Sequence, residues 1–268
     1  MKNLFALSFL LITICSFSQQ AYQADTTIDG KIKLLLDKKK IQTLSDQDKK
    51  ELKNLIYTIQ NKGFELDEIS HDYKGALEQT NKAISFWIES SDTISEANLR
   101  KYKGYLLGNL GQFSEAKSEI HTAIYLYQLK HKEFGVAVSQ FDLSKVYDNE
   151  SKFDSAVYFA NSALRYWKTQ GDTFRILSNK IELMHLFIKL RKYDKAEKIQ
   201  KESEKLNIKK GLPWQQLIDF YFLSYTLFEK TNNNSEATKY KNLYSKKIDS
   251  LKKEGKDVTS GYAIRWRY

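Results

Sequence analysis

The sequence predicts an all-α fold, an α-solenoid built from about five helix–turn–helix repeats. The 268 residues include one proline and 11 glycines, and so few helix breakers favour long helices over a many-turned β fold. A pattern of one aromatic and two small residues returns every 40 residues between residues 72 and 207, which is typical of repeat architectures. Hydrophobic residues form 41% of the chain, enough for a packed core.

The second helix of each repeat shows the period most clearly. It begins with an aromatic residue, and small residues follow three and ten positions later. The aromatics are Tyr73, Phe113, Phe153 and Tyr193, and the small residues are Ala76, Ala83, Ala116, Ala123, Ala156, Ala163, Ala196 and Ser203. Residues seven apart share one helix face, so these positions allow close approach to a neighbouring helix. We interpret them as packing positions, with a cofactor site as the alternative. A degraded fifth copy surrounds Ala237.

A first helix precedes each of these aromatics. In one copy, VSQFDLSKVYDN places Phe141, Leu143, Val146 and Tyr147 at helical spacing, and the polar turn NESK follows. Each repeat is therefore predicted to be a pair of antiparallel helices, with the array over residues 53–250.

Residues 1–18 have the pattern of a signal peptide. Lys2 precedes an apolar run from Leu4 to Cys15, and small serines follow. Such segments are removed on export, so we expect a mature chain that starts near Gln19 and lies in a periplasm or outside the cell. An uncleaved membrane-anchoring segment is the alternative. The single cysteine would be lost on cleavage, which excludes disulfides and thiolate metal ligands. We expect no transmembrane span after cleavage.

Residues 19–52 precede the array and are predicted to cap it. Ile32, Leu35 and Leu36 indicate a short amphipathic helix, and the end of a repeat array needs such a cover.

Residues 251–268 form a tail with a different pattern. From Tyr262 to Tyr268, bulky hydrophobic residues alternate with others, which is the period of a strand. The tail could pack on the last helices or pair with a strand of a partner. Both interpretations stay open.

The repeat pattern resembles the tetratricopeptide repeat (TPR) family over about residues 53–250. GQFSEAKSEIHTA, residues 111–123, matches the family's turn and second helix, and KYKGYLLGNLG supplies Gly104 and Leu107 in the first helix. The sequence lacks the family's first-helix tryptophan and closing proline, and its period is 40 rather than 34 residues. The resemblance implies a right-handed solenoid with a concave groove. The long repeats look like those of exported bacterial proteins, where they often form sensory ectodomains.

The resemblance also implies where a partner would bind, because first-helix residues facing away from the second helix build the concave wall in this family. Repeats that start at Ala97, Ala137 and Leu177 give the candidate positions. These are Lys101, Tyr105, Asn109, Phe141, Lys145, Asn149, Ile181, His185 and Lys189. Asparagine can donate to and accept from a peptide backbone, lysine can pair with acidic groups, and aromatics offer apolar contact. Ordinary solvated helix positions are the alternative.

No motif in the sequence points to catalysis. The four histidines lack the spacing of a zinc peptidase, and there is no glycine-rich phosphate loop or nucleophile elbow. We therefore expect no enzymatic activity, no cofactor and no metal. The formal net charge is +10, but lysines are interspersed with acidic residues and export separates the chain from nucleic acid, so no nucleic acid partner is expected. A basic surface suits an acidic protein or peptide instead.

The sequence thus predicts an exported, non-enzymatic protein-binding scaffold that holds a peptide or protein partner in a concave groove. The alternative is a sensory or regulatory component that acts with a separate membrane signalling protein.

Overall fold

The computed structural model describes residues 27–210 and 214–256. All regular structure in these residues is α-helical, so the all-α prediction is confirmed. The helices are α1 (Ile28–Ile41), α2 (Asp46–Glu68), α3 (Tyr73–Ser90), α4 (Thr93–Asn109), α5 (Phe113–Leu129), α6 (Glu133–Asn149), α7 (Phe153–Gln170), α8 (Thr173–Lys189), α9 (Tyr193–Lys210), α10 (Trp214–Lys230) and α11 (Asn234–Lys253). Within this part of the chain, no helix is long and apolar enough to cross a membrane. The predicted signal peptide and the tail from Tyr262 to Tyr268 lie outside the described residues.

The turns between helices recur every 20 residues. From α3 to α9 the helices begin at residues 73, 93, 113, 133, 153, 173 and 193, so the 40-residue repeat is a pair of helices of nearly equal length. Two residues before each start, the backbone takes a positive φ between 51° and 75°. The residues in this conformation are His71, Ser91, Gly111, His131, Ser151, Gly171 and Arg191. A left-handed residue at this place ends a helix and turns the chain.

The turn after α7 shows how the backbone groups are satisfied. The Gly171 N–H donates to the Lys168 carbonyl at 3.3 Å. The Asp172 N–H donates to the Trp167 carbonyl at 3.2 Å, so two carbonyls at the helix end gain partners. The Asp172 carboxylate in turn accepts from the Arg175 N–H at 3.0 Å and caps α8. One short turn therefore ends a helix and starts the next, antiparallel one.

Small residues line the seams between helices, as the repeat pattern predicts. All eight are fully buried, with 0% of their surface exposed: Ala76, Ala83, Ala116, Ala123, Ala156, Ala163, Ala196 and Ser203. Between α6 and α7, the Ser144 hydroxyl donates to the Ala156 carbonyl at 2.9 Å. A side chain reaches the backbone of the next helix in this way only where both helices carry small residues. The packing interpretation is confirmed.

The described residues form two compact units, one that ends at Leu110 and one that begins at Gly111. In the first unit, one hydrophobic core surrounds Trp87, which is fully buried and meets the Tyr57 ring edge-on at 5.2 Å. The apolar face of α1 adds Ile32, Leu35 and Leu36 to this core.

In the second unit, α5 to α11 pack in chain order, and α8 also packs directly on α10. Leu183 and Leu186 of α8 share a buried cluster with Ala156 and Ala160 of α7. Tyr240 is buried in another cluster, with Phe220 of α10. Contact between α8 and α10 places first helices of successive repeats side by side.

The substitution Ala156→Leu should lower the free energy of unfolding by about 1–3 kcal/mol, since the added atoms enter a filled seam. Ser118→Leu enlarges a solvent-exposed residue in the middle of α5. This control should change the free energy of unfolding by less than about 0.5 kcal/mol. Urea denaturation of both variants measures the difference. Equal losses would contradict the repeat alignment.

Candidate binding site on the first helices

The predicted site residues of the first unit lie on α4 and are partly exposed. They are Lys101, Tyr105 and Asn109. The Tyr105 ring stacks on that of Tyr102, with ring centres 5.9 Å apart. The side-chain amide of Asn109 donates to the Tyr105 carbonyl at 2.9 Å. One donor of this amide is therefore already used within its own helix.

The second unit places three of the predicted positions around one pocket. Phe141 and Lys145 of α6 and Ile181 of α8 line a cavity of about 210 Å³. The other lining residues are Ser178, Glu182, Gln215, Gln216 and Asp219. The pocket is thus built by α6, α8 and α10, the first helices of three successive repeats.

The remaining predicted residues of the second unit lie outside this lining. Asn149 and Lys189 are exposed, and the Lys189 ammonium lies 5.7 Å from the centre of the Phe153 ring. His185 is only 4% exposed, and its Nε2 atom lies 3.4 Å from the Asp148 carboxylate. Burial lowers the pKa of His185, with Asp148 opposing the shift, so the imidazole is neutral at pH 7. His185 is therefore a buried side chain, in contrast to the accessible groove residue expected from the sequence.

Glu182 is the residue of the pocket with the most unusual surroundings. It is 3% exposed, and its Oε1 atom has no hydrogen-bond partner among the described residues. Burial raises the pKa of Glu182 from its ordinary 4.5 to about 7. The Lys145 charge opposes this shift, while Asp148 and Asp219 add to it. A buried carboxyl with such a pKa is costly to the fold and is therefore a candidate for function.

The other pocket groups supply one apolar wall and one amide wall. The Lys145 ammonium lies over the Phe141 ring, 4.7 Å from its centre. The Gln216 amide donates to the Ser178 hydroxyl, which links α10 to α8. In the described residues the Gln216 Oε1 atom accepts no hydrogen bond. The pocket therefore offers an aromatic surface, a carboxyl group and an amide acceptor to a ligand.

Over residues 27–210 and 214–256, no group of three histidine, cysteine, aspartate or glutamate side chains could hold a metal ion.

The sequence analysis did not single out three acidic residues that the fold buries, Asp148, Glu182 and Asp219. Their exposed fractions are 7%, 3% and 7%. A sequence signal was present for two of them. Glu182 interrupts the largely apolar run KIELMHLF, and Asp219 interrupts LIDFYF. A carboxylate in a helix that is apolar on most sides has no solvated face to occupy and must be buried.

We compared the chain with known protein families, sequences and solved structures. No protein-family model and no curated protein sequence matches the chain. Solved structures do match it. BtubC from P. vanneervenii has a TM-score of 0.65 over 85% of this chain and 93% of its own, with 13% identity. A Rap protein complexed with competence and sporulation factor has a TM-score of 0.63 over 90% and 71%, with 14% identity. A kinesin light chain of Podosopora anserina, described as having TPR-like repeats, has a TM-score of 0.60 over 75% and 97%, with 11% identity.

At sequence identities of 11–14%, structural similarity shows a shared fold. The chain has the fold of TPR-like helical repeat proteins, and the resemblance read from its sequence is confirmed at that level.

Glu182→Gln should make the stability of the protein less sensitive to pH. The pKa of Glu182 is higher in the folded chain than its ordinary value, so the folded state binds more protons between about pH 4.5 and 7. Wild-type stability is therefore lost as the pH rises through that window, by an amount on the order of 3 kcal/mol. The variant should lack this loss.

Urea denaturation of both proteins at about pH 5 and about pH 8 measures the effect, and the difference between them isolates Glu182 from other titrating groups. Glu115→Gln, at an exposed position of α5, is the control and should follow the wild type. A difference between wild type and Glu182→Gln that is the same at both pH values would contradict the assigned burial.

Proposed function

We propose that the chain is a non-enzymatic interaction scaffold whose second unit holds a segment of a protein or peptide partner against α6, α8 and α10. One observation carries the proposal. Three successive first helices form a pocket whose lining includes Glu182 and Gln216, each with an oxygen that has no hydrogen-bond partner in the described residues. Buried polar atoms without partners are rare in folded proteins, and a ligand would supply the missing hydrogen bonds.

The size of the pocket favours one side chain of a larger ligand over a whole small molecule. Its volume of about 210 Å³ is below the roughly 300–1,000 Å³ of typical small-molecule sites. Phe141 and Ile181 provide apolar contact, and Gln215 is exposed at the rim. An anchoring side chain in such a pocket, with polar contacts around it, is how interfaces concentrate their binding energy.

One comparison supports this proposal. A similar structure is that of a Rap protein complexed with competence and sporulation factor, so this fold can hold a bound factor in another protein.

Substitution of Gln215 by tryptophan should block the pocket while leaving the fold intact, because Gln215 is exposed. Peptides are first selected on the wild-type protein from an unbiased random library, and their affinities are measured by fluorescence anisotropy. Gln215→Trp should weaken the selected peptides by about tenfold or more. Gln128→Trp, at an exposed position of α5, is the matched control and should bind as the wild type does. Selected peptides that bind both variants equally well would show that the pocket is not the binding site.

We also propose that the protein acts after export, because its first 18 residues have the charge and apolar pattern of a signal peptide. Protein recovered from the cell envelope or medium should begin near Gln19 when its amino terminus is sequenced. A cytosolic protein that retains Met1 would contradict this.

A further inference from the structure

The pocket on α6, α8 and α10 is lined by more acidic than basic side chains, although the chain as a whole is basic. The formal net charge of the protein is +10. Two carboxyl groups, Glu182 and Asp219, and one ammonium, Lys145, line the pocket. A third carboxyl group, that of Asp148, is buried close enough to act on Glu182. With these groups ionised, the pocket is locally negative on a basic protein.

One of these carboxyl groups, that of Glu182, has an oxygen without a hydrogen-bond partner in the described residues. Glu182 is only 3% exposed, so water does not replace the missing hydrogen-bond partner of its Oε1 atom. A buried carboxylate without a donor costs free energy. A donor that also carries positive charge would offset that cost most effectively, because charge-assisted hydrogen bonds are stronger than neutral ones.

The apolar wall suits the same kind of ligand. The Phe141 ring already accepts an ammonium group on one face, since Lys145 lies 4.7 Å from its centre. Aromatic faces attract cations, and Ile181 beside it can contact the methylene stem of a long side chain. Lysine and arginine are the residues that combine an apolar stem with a cationic end.

We propose that the pocket binds a basic side chain, lysine or arginine, of the partner segment, with Glu182 and Asp219 as its counter-charges. This inference rests on the proposed function and specifies the chemistry of the partner. It reverses the expectation from the net charge, which favoured an acidic partner.

Binding of a cation should be linked to the ionisation of Glu182. The charged groups that act on it are Lys145 and Asp148 from α6 and Asp219 from α10, while the neighbouring His185 on its own helix is neutral. Because the pKa of Glu182 is about 7, a good part of the free protein holds a proton there near neutral pH. A basic ligand should therefore bind more tightly at about pH 8 than at about pH 6 and should release a proton from the protein.

The test uses three blocked tripeptides as probes, acetyl-Ala-Xaa-Ala-amide with Xaa as arginine, glutamine or glutamate. The full chain is labelled at isoleucine δ-methyl groups, and the Ile181 signal, assigned with Ile181→Val, reports on the pocket by NMR. Ile120, which is buried in α5, is the internal control. We expect the arginine probe to shift Ile181 with an affinity about tenfold or more above that of the glutamine probe, and the glutamate probe to have no effect.

A second set of measurements tests the assigned counter-charges. The double substitution Glu182→Gln with Asp219→Asn should remove the preference for arginine over glutamine, as well as the gain in affinity between about pH 6 and about pH 8. Equal shifts of Ile181 by the arginine and glutamine probes on the wild-type chain would overturn the inference, and this comparison does not depend on the variant folding.

Failure of the inference and failure of the proposed function give different results. If library-selected peptides are blocked by Gln215→Trp but the probes show no preference for arginine, the pocket binds peptides and only its specificity has been misassigned. If Gln215→Trp blocks none of the selected peptides, the proposed function itself is wrong.

Discussion

Close approach of helices at small residues is the constraint on which this structure depends. Two helices can share a seam with backbone and side chain in contact, as Ser144 and Ala156 do, only if the residues between them are small. The fully buried alanines recur at one phase of the repeat, so each helix pair of the second unit packs in the same way. The left-handed turn residues two positions before each helix keep that phase at 20 residues. In the second unit, the first helices α6, α8 and α10 line one pocket.

The side chains that line this pocket lower the stability of the fold. Glu182 and Asp219 are both buried, and the Oε1 atom of Glu182 has no hydrogen-bond partner among the described residues. The contrast is clear at Tyr240, which is also buried but whose hydroxyl donates to Glu204 and accepts from Gln200, both at 2.7 Å. Sites that retain unsatisfied polar groups commonly do so for function, because natural proteins balance stability against activity.

The sequence predicted the framework because the framework is periodic. The phase of the alanines and the aromatic start of each second helix followed directly from the 40-residue repeat. The site followed only in part. Phe141 and Lys145 lie in the pocket, but forty residues on, the equivalent of Lys145 is His185, which is buried. The lining moves about three residues towards the amino end from α6 to α8 and again from α8 to α10, as expected when neighbouring helices cross at an angle. Positions predicted at a constant spacing of 40 residues cannot follow that shift. The burial of Glu182 and Asp219 depends in addition on which helices surround them, which the sequence pattern does not show.

The central claim is that a basic side chain of a partner occupies the pocket. A photo-crosslinking amino acid placed at position 215, at the rim of the pocket, tests it in intact cells, with the same group at position 128 as the control. The account predicts an adduct at position 215 that is absent at position 128, and mass spectrometry should locate it in a partner segment that contains lysine or arginine next to the crosslinked residue. An adduct at position 215 whose segment carries no basic residue would contradict the claim, as would equal capture at both positions.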